Sequence, residues 1–343
     1  MKALLLTKYM QLEMADLAEP ETGPHDVLVR VRACGICGSD VHGLDGSTGR
    51  RIPPLVMGHE AAGVIARAGS EVHGWTPGDR VTFDSTVSCG ACFFCRRGEI
   101  NLCDRRQVLG VSCGDYRRHG AFAEFIAVPA SILYRLPESL PFDRAAMIEA
   151  VSVAVHAVNL TPHGMGDTAV VVGCGMIGQL AIQAARAAGF ARVIAIDVDD
   201  ARLSMAASAG ASEILNSRTC DAPARVLAAT DGRGADAVLE AVGATEPIRT
   251  AIACVRKGGA VTLIGNISPA VELPLQSIVT RQIRLQGSCA SSGEYPACIE
   301  LLSSGAVSVD SLISARVPLE EAAAWFDRLY RREANLMKVI VEP

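Results

Sequence analysis

The sequence predicts an α/β protein with a β-rich N-terminal third and a doubly wound parallel sheet in its second half. Three observations predict this. Val27-Leu28-Val29-Arg30-Val31-Arg32 alternates apolar and charged residues towards its end with period two, as a half-buried strand does, and Gly63-Val64-Ile65 and Gly78-Asp79-Arg80-Val81 continue the strand-and-turn texture. From Thr168 onward, short apolar runs alternate with helical stretches. Between the first such run and its helix lies Gly173-Cys174-Gly175-Met176-Ile177-Gly178, glycines placed where a strand must turn sharply into a helix. The 343 residues suffice for two domains, and half of them are hydrophobic, enough for a sizeable core. A net charge of −5 argues against a nucleic-acid surface and against adhesion to acidic lipid. The opening Met1-Lys2-Ala3-Leu4-Leu5-Leu6-Thr7-Lys8 has too short an apolar run for a signal peptide. The longest apolar tract, Ala169 to Gly189, is interrupted by four glycines and by Gln179, Gln183 and Arg186, so it reads as strand then helix. A soluble cytoplasmic protein is expected.

Taken in order, the first stretch with chemical content is Cys34-Gly35-Ile36-Cys37-Gly38-Ser39-Asp40-Val41-His42, followed after Pro53-Pro54 by Gly58-His59-Glu60. Thiolate, imidazole and carboxylate are the three ligand types zinc accepts, and a catalytic zinc keeps one position open beyond its protein ligands. Next come Cys89, Cys92, Cys95 and Cys103, spaced C-x2-C-x2-C-x7-C. Four thiolates so close can close a tetrahedral structural zinc site. An iron–sulfur cluster also uses four cysteines, but the bacterial pattern ends in a three-residue gap and a proline; here the gap is seven and Asp104 follows. Twelve cysteines in such a chain point to metal or redox chemistry before disulfides. Glu149 stands in the apolar run Met147–Ser152, where an unpaired carboxylate is costly; a salt bridge or a metal-linked role accounts for it.

Thr168–Val172 reads as a buried strand, and the glycine motif after it opens a helix whose N-terminus attracts phosphate. Asp197 ends the following strand, 19 residues beyond Gly178, where an acid grips the adenosine ribose hydroxyls of a dinucleotide. This predicts NAD over NADP, tempered by Arg202, which stands near enough in sequence to receive a 2′-phosphate. Ala237–Glu240, Gly259–Gly265 and Ile283–Gly287 read as further parallel strands. Val242 and Gly265 stand at their ends on the cofactor side, with Gly243 beside them. The tail holds helices near Pro296–Ser303 and Leu319–Arg331 and a closing strand, Lys338–Val341.

From about Ala3 to Val341 these motifs, in this order, resemble the zinc-dependent medium-chain dehydrogenase/reductase family. Glu149-Ala150-Val151-Ser152-Val153 resembles its polyol, galactitol-1-phosphate and threonine dehydrogenase branch. The resemblance implies a GroES-like β-rich catalytic domain from residues 1–150 and 288–343, with a structural zinc lobe at 89–103. A Rossmann NAD-binding domain at 151–287 is inserted into it. It implies catalytic zinc on Cys37 and His59 with Glu60 or Glu149 as third protein ligand, and Asp40 behind His59. Ser39 and His42 would form a proton relay, and Gly173, Gly175, Met176, Ile177, Gly178, Asp197, Arg202, Val242 and Gly265 would contact NAD. Two zinc ions per subunit and a homodimer or homotetramer follow from the same resemblance.

The implied reaction is oxidation of a secondary alcohol of a polyol or sugar derivative by hydride transfer to NAD. Sorbitol dehydrogenases usually carry an arginine just after the last strand of the inserted domain, and Ser288-Cys289-Ala290-Ser291-Ser292-Gly293 has none. Arg50-Arg51 and the run Asp115-Tyr116-Arg117-Arg118-His119 are candidates to face a phosphate, as a sugar-alcohol phosphate would need; solvated loop charges are the plainer account. L-Threonine is a third substrate candidate. From another class, an NAD-binding redox sensor could keep the scaffold without catalysis, though the intact ligand and relay positions argue for an enzyme.

Overall fold

The ten-residue strand Asp26–Gly35 (DVLVRVRACG) is the spine of the first of two units into which a computed structural model, describing all of residues 1–343, divides. This unit comprises Met1–Glu149, Tyr295–Ser303 and Val309–Pro343. Its seven-stranded sheet runs Leu133–Arg135, Arg80–Phe83, Glu60–Ala68, Asp26–Gly35, Lys338–Glu342, Ile313–Pro318, with Phe125–Pro129 also paired to Asp26–Gly35. Both ends of the chain thus meet in one sheet: Val341 pairs with Cys34 and Ile340 with Gly35. A smaller sheet of Gln11–Asp16, Lys2–Lys8 and Leu55–Val56 completes the β texture.

Alternating side chains from these strands fill one core. Val27, Val29 and Val31 point into it with Leu4, Leu6, Phe83 and Phe122, and Phe122 meets Phe326 edge-to-face at 5.4 Å. Each such fully buried side chain contributes roughly 1.5–3 kcal/mol. Gly58 shows how tightly this core meets the chemistry. Its φ is +95°, and a Cβ there would lie 2.8 Å from Cys34 Sγ and 3.0 Å from the Phe122 ring. Glycine is what lets the chain turn under the core and present the next two residues, His59 and Glu60.

The second unit, Ala150–Glu294 with Ser304–Ser308, holds a six-stranded, wholly parallel sheet. Its order is Glu213–Asn216, Arg192–Asp197, Thr168–Val172, Ala235–Glu240, Val255–Leu263, Arg284–Gly287, the 3-2-1-4-5-6 arrangement of a Rossmann fold. Local signals set its helices: Asp199 caps Asp200–Ser208 by accepting from the N–H groups of Ala201 and Arg202, and Asp221 caps Ala222–Ala229. The apolar tract of 169–189 resolves into the strand Thr168–Val172 and the helix Met176–Ala187, and no helix is long and apolar enough to cross a membrane.

This unit runs past the end expected at Gly287. Ser288–Glu294 stays with it because His156 Nδ1 lies 2.7 Å from Glu294 Oε1, and the Ser292 N–H donates to Glu294 Oε2. Ser304–Ser308 rejoins it through Gln183, which exchanges two hydrogen bonds with the Ser308 backbone at 2.7 and 2.9 Å.

Candidate active site and metal centres

Sheet register assembles the first site. Gly35 pairs with Glu60, so the end of Asp26–Gly35 delivers Cys37 beside His59 and Glu60 at the start of the neighbouring strand. Cys37 is the N-cap of the short helix Gly38–Gly43, which carries Ser39, Asp40 and His42. One donor atom from each of Cys37, His59 and Glu60 lies within 4.8 Å of the others. Asp40, His59 and Glu60 are buried, Cys37 is half-buried and Ser39 is exposed, so the site opens on the Cys37–Ser39 side.

Asp40 is the hub behind the donors. Its Oδ1 lies 3.3 Å from His59 Nδ1, too poorly aligned for a formal hydrogen bond, and 3.0 Å from Arg51 Nη2; its Oδ2 accepts from the Cys37 N–H at 3.4 Å. Burial alone would raise the Asp40 carboxyl, but His59 and Arg51 outweigh it and hold it well below the usual carboxylate range. Burial would likewise lower the His59 pKa, yet Asp40 and the Cys37 sulfur raise it well above its ordinary value. A carboxylate facing Nδ1 fixes that nitrogen as the protonated one and leaves Nε2, 3.4 Å from Ser39 Oγ, as the ligand position. A thiol, an imidazole and a carboxylate converge here within 4.8 Å, the three ligand types zinc accepts. The donor set therefore fits zinc.

Two further groups surround it. Lys338 is 3% exposed, and its Nζ donates to Glu60 Oε2 at 2.5 Å and to the Ile36 carbonyl at 3.1 Å. Glu149 lies outside the close trio of donors, but its carboxyl is pushed up to about 7, by burial first and then by the charges of Glu60 and Asp84, against the opposing pull of His59 and Lys338. His42 is exposed on the last turn of the short helix, and its backbone carbonyl accepts from Ser47 Oγ.

The second cluster gathers Cys89, Cys92, Cys95 and Cys103, whose sulfurs all lie within 4.8 Å of one another. Cys89 Sγ and Cys95 Sγ are 4.0 Å apart, against about 3.8 Å for two sulfurs on a tetrahedral zinc with 2.3 Å bonds. Backbone N–H groups of Cys89 and Arg105 point at Cys103 Sγ at 3.3 and 3.4 Å, and the Cys95 N–H points at Cys92 Sγ at 3.5 Å. Backbone donors bring the Cys89 thiol down to about 6, while burial and the neighbouring sulfurs push Cys95 up to about 11. Four sulfurs this close cannot all ionise without a cation between them, so this set fits a closed zinc site too.

In the second unit the glycine motif sits where a dinucleotide needs it. Gly173 has φ +91°, Gly175 caps the helix Met176–Ala187, and a Cβ on Gly178 would run into the Gly173 carbonyl. Asp197, 7% exposed, accepts from Cys174 N–H at 2.6 Å and from the N–H groups of Val198 and Asp199 at 2.7 and 3.0 Å. Buried Glu240 accepts from the N–H groups of Val242 and Gly243, pinning their turn against the backbone of Gly265. Met176 and Ile177 are half-buried on the first turn of the helix, and Arg202 is exposed.

Arg51 departs from expectation. It turns inward, 4% exposed, onto Asp40 and Ser39, and is not available to a phosphate; Arg118 is engaged with Gln107 at 2.6 Å, while Arg50 and Arg117 stay exposed. The sequence reading also missed Lys338. Its signal was a lone lysine opening the apolar strand Val339-Ile340-Val341, since an ammonium there must find an acid.

Matches to known proteins agree with this architecture. Residues 23–138 match the alcohol dehydrogenase GroES-like domain and residues 177–304 the zinc-binding dehydrogenase domain. Sorbitol dehydrogenase of Bacillus subtilis (strain 168) is 34% identical over 348 residues, covering 100% of this chain and 97% of that protein. Galactitol-1-phosphate dehydrogenase from Escherichia coli superposes with a TM-score of 0.93 at 28% identity over 100% of both chains. A Sinorhizobium meliloti 1021 structure bound to NADP superposes with a TM-score of 0.91 at 32% identity, over 100% of this chain and 99% of that one. The chain belongs to the zinc-dependent medium-chain dehydrogenase/reductase family, and within it to the polyol dehydrogenase branch.

Proposed function

We propose that the protein oxidises a secondary alcohol of a polyol or related sugar derivative to the ketone, with NAD accepting the hydride. The observation that carries this reading is the Cys37–His59–Glu60 donor trio with Asp40 behind the imidazole and an open side at Ser39. Zinc bound there supplies the Lewis acidity that brings hydroxyl ionisation towards neutral pH, as it brings bound water to roughly 7. The chain's own residues do the rest. Asp40 fixes the His59 tautomer, Ser39 Oγ accepts the hydroxyl proton as it gives up its own, and His42, exposed on the same short helix, is the proposed group on the solvent side of that relay. Glu60 is the proposed third ligand because it lies in the trio. Glu149, held near neutrality, acts beside it.

The same reading assigns a second, structural zinc to Cys89, Cys92, Cys95 and Cys103. It assigns NAD in preference to NADP on the strength of Asp197, an acid ending the strand Arg192–Asp197, since a carboxylate in that place favours ribose hydroxyls over a 2′-phosphate. The five cysteines of the two clusters must stay reduced to hold metal, which suits a cytoplasmic setting. Ile267, Leu275 and Val279, 66–68% exposed between the last two strands of the Rossmann sheet, favour pairing with a second copy as a homodimer or homotetramer.

A phosphorylated polyol is the second reading, favoured by exposed Arg50 and Arg117, whose segments are joined by a bridge from Arg51 to Ser112. Purified zinc-loaded protein offered polyols, polyol phosphates and L-threonine with NAD separates these by NADH absorbance. A polyol hit abolished by Cys37→Ser supports the first reading, and a phosphate-only hit the second. NAD binding with silence across the panel overturns both and points to a non-catalytic NAD sensor.

A further inference from the structure

Arg51 makes four hydrogen bonds from a buried guanidinium, and their targets belong to two different parts of the proposed machinery. Nη2 donates to Asp40 Oδ1 at 3.0 Å and to Ser39 Oγ at 3.3 Å, Nε leans on the same Asp40 oxygen at 3.4 Å, and Nη1 is tied to the Arg50 carbonyl at 3.1 Å. The Asp40 oxygen it holds is the one that faces His59 Nδ1. We propose that Arg51 is a positioning residue that locks the histidine ligand and the relay serine into one rigid unit. This rests on the zinc dehydrogenase reading given above.

The placement of Arg51 is built into the fold. Its backbone bridges to Ser112, with Ser112 N–H donating to the Arg50 carbonyl and Ile52 N–H to the Ser112 carbonyl, both at 3.3 Å. Its aliphatic stem lies over Gly43, where a Cβ would collide with Arg51 Cγ. A glycine at the end of the short helix thus makes the room that the arginine fills.

The geometry has two consequences. Asp40 takes donors from both sides and cannot swing away from His59, so its carboxylate stays facing Nδ1 even though the contact between them is poorly aligned. Ser39 Oγ must accept from Arg51, because a guanidinium has no acceptor, so the serine proton is turned away from Arg51. The planar fork serves both acceptors at once. A lysine ammonium keeps the charge but is a single-centre donor on a flexible stem.

The test uses zinc-loaded enzyme as wild type, Arg51→Lys and Arg51→Gln. Zinc release to a chromophoric chelator is read alongside kcat and KM, and Cys37→Ser identifies which release phase belongs to the Cys37–His59 site. Both variants are expected to release that zinc about 10-fold faster or more, the usual size of effect for a partner behind a metal ligand. Their kcat should fall by a similar factor with KM little changed, while release from the four-cysteine site and NADH binding stay as in wild type. Asp40→Asn should match Arg51→Gln, and the double variant should be no worse than either single one. If Arg51→Gln does not fold, Arg51→Lys with Asp40→Asn carries the comparison. Unchanged zinc release and kcat in folded Arg51 variants, or effects that add fully in the double variant, would overturn the inference. Wild-type protein that holds no zinc on Cys37 or makes no NADH would instead sink the functional reading beneath it.

Discussion

Lys338→Met removes the ammonium bonded to Glu60 while keeping a side chain of similar length. The two side chains are 3% and 2% exposed, so the perturbation leaves a carboxylate buried without its cation. Breaking a buried pair on one side costs about 3–5 kcal/mol, and the Ile36 carbonyl loses its partner as well, adding about 1 kcal/mol or more. The damage is local to the metal site, because Lys338 opens the strand that pairs with Cys34 and Gly35. Zinc on Cys37, His59 and Glu60 would replace part of the missing charge, so the loss should be larger in metal-stripped than in zinc-loaded protein. Both tryptophans, Trp75 and Trp325, lie in the first unit, so their fluorescence during urea unfolding reports on it selectively. The double variant Lys338→Met/Glu60→Gln should recover most of the stability, since it removes both charges. A loss below about 1 kcal/mol in metal-stripped Lys338→Met, or a double variant worse than the single one, would refute the reasoning.

Cys92→Ser opens the four-cysteine site: metal analysis should show one zinc fewer per chain, and limited proteolysis should cut within residues 89–103 while the Rossmann unit stays intact. Asp197→Ala removes charge-assisted contacts worth about 1.5–3 kcal/mol each. The KM for NAD should therefore rise at least about 10-fold, and the preference over NADP should narrow in parallel assays. Glu294 gives a pH signature. Burial would raise its carboxyl, but His156 and the Ser292 N–H outweigh that and lower it. A depressed carboxyl stabilises the fold above its ordinary value of 4.5 and loses that contribution as pH falls through the folded value. Glu294→Gln should then lower the melting temperature at pH 7, for a loss of about 1–2 kcal/mol, and the difference should shrink towards pH 4.

What was legible in the sequence follows from how local each feature is. The Rossmann unit could be read because each strand, turn and helix is contiguous: Thr168–Val172, the glycines, Met176–Ala187 and Asp197 occur in the order the chemistry needs. The four-cysteine set was visible by residue type and spacing alone, the stretch Cys34–Glu60 by its zinc-type side chains, and Cys37 and His59 within it were picked out by the family resemblance. The order of the first sheet was not, since Lys338–Glu342 reaches Cys34 and Gly35 from the far end of the chain. For the same reason the Lys338–Glu60 pair, 278 residues apart, left no local trace beyond one lysine in an apolar run. Arg51 misled because a second arginine in a polar loop looks like a solvated charge. Its burial depends on the tertiary pairing with Ser112 and on the space left by Gly43. The end of the Rossmann unit moved from Gly287 to Glu294 because contacts from outside the loop hold it there: the Ser288 N–H donates to the Leu263 carbonyl, and His156 meets Glu294.

Zinc titration into metal-stripped enzyme, with NAD and the best substrate of the polyol panel, tests the central claim most directly. NADH formation should be absent at the start, appear as the Cys37–His59–Glu60 site fills, and fail to appear in Cys37→Ser at any zinc level. Undiminished NADH formation by the metal-stripped enzyme, or by Cys37→Ser, would contradict the account.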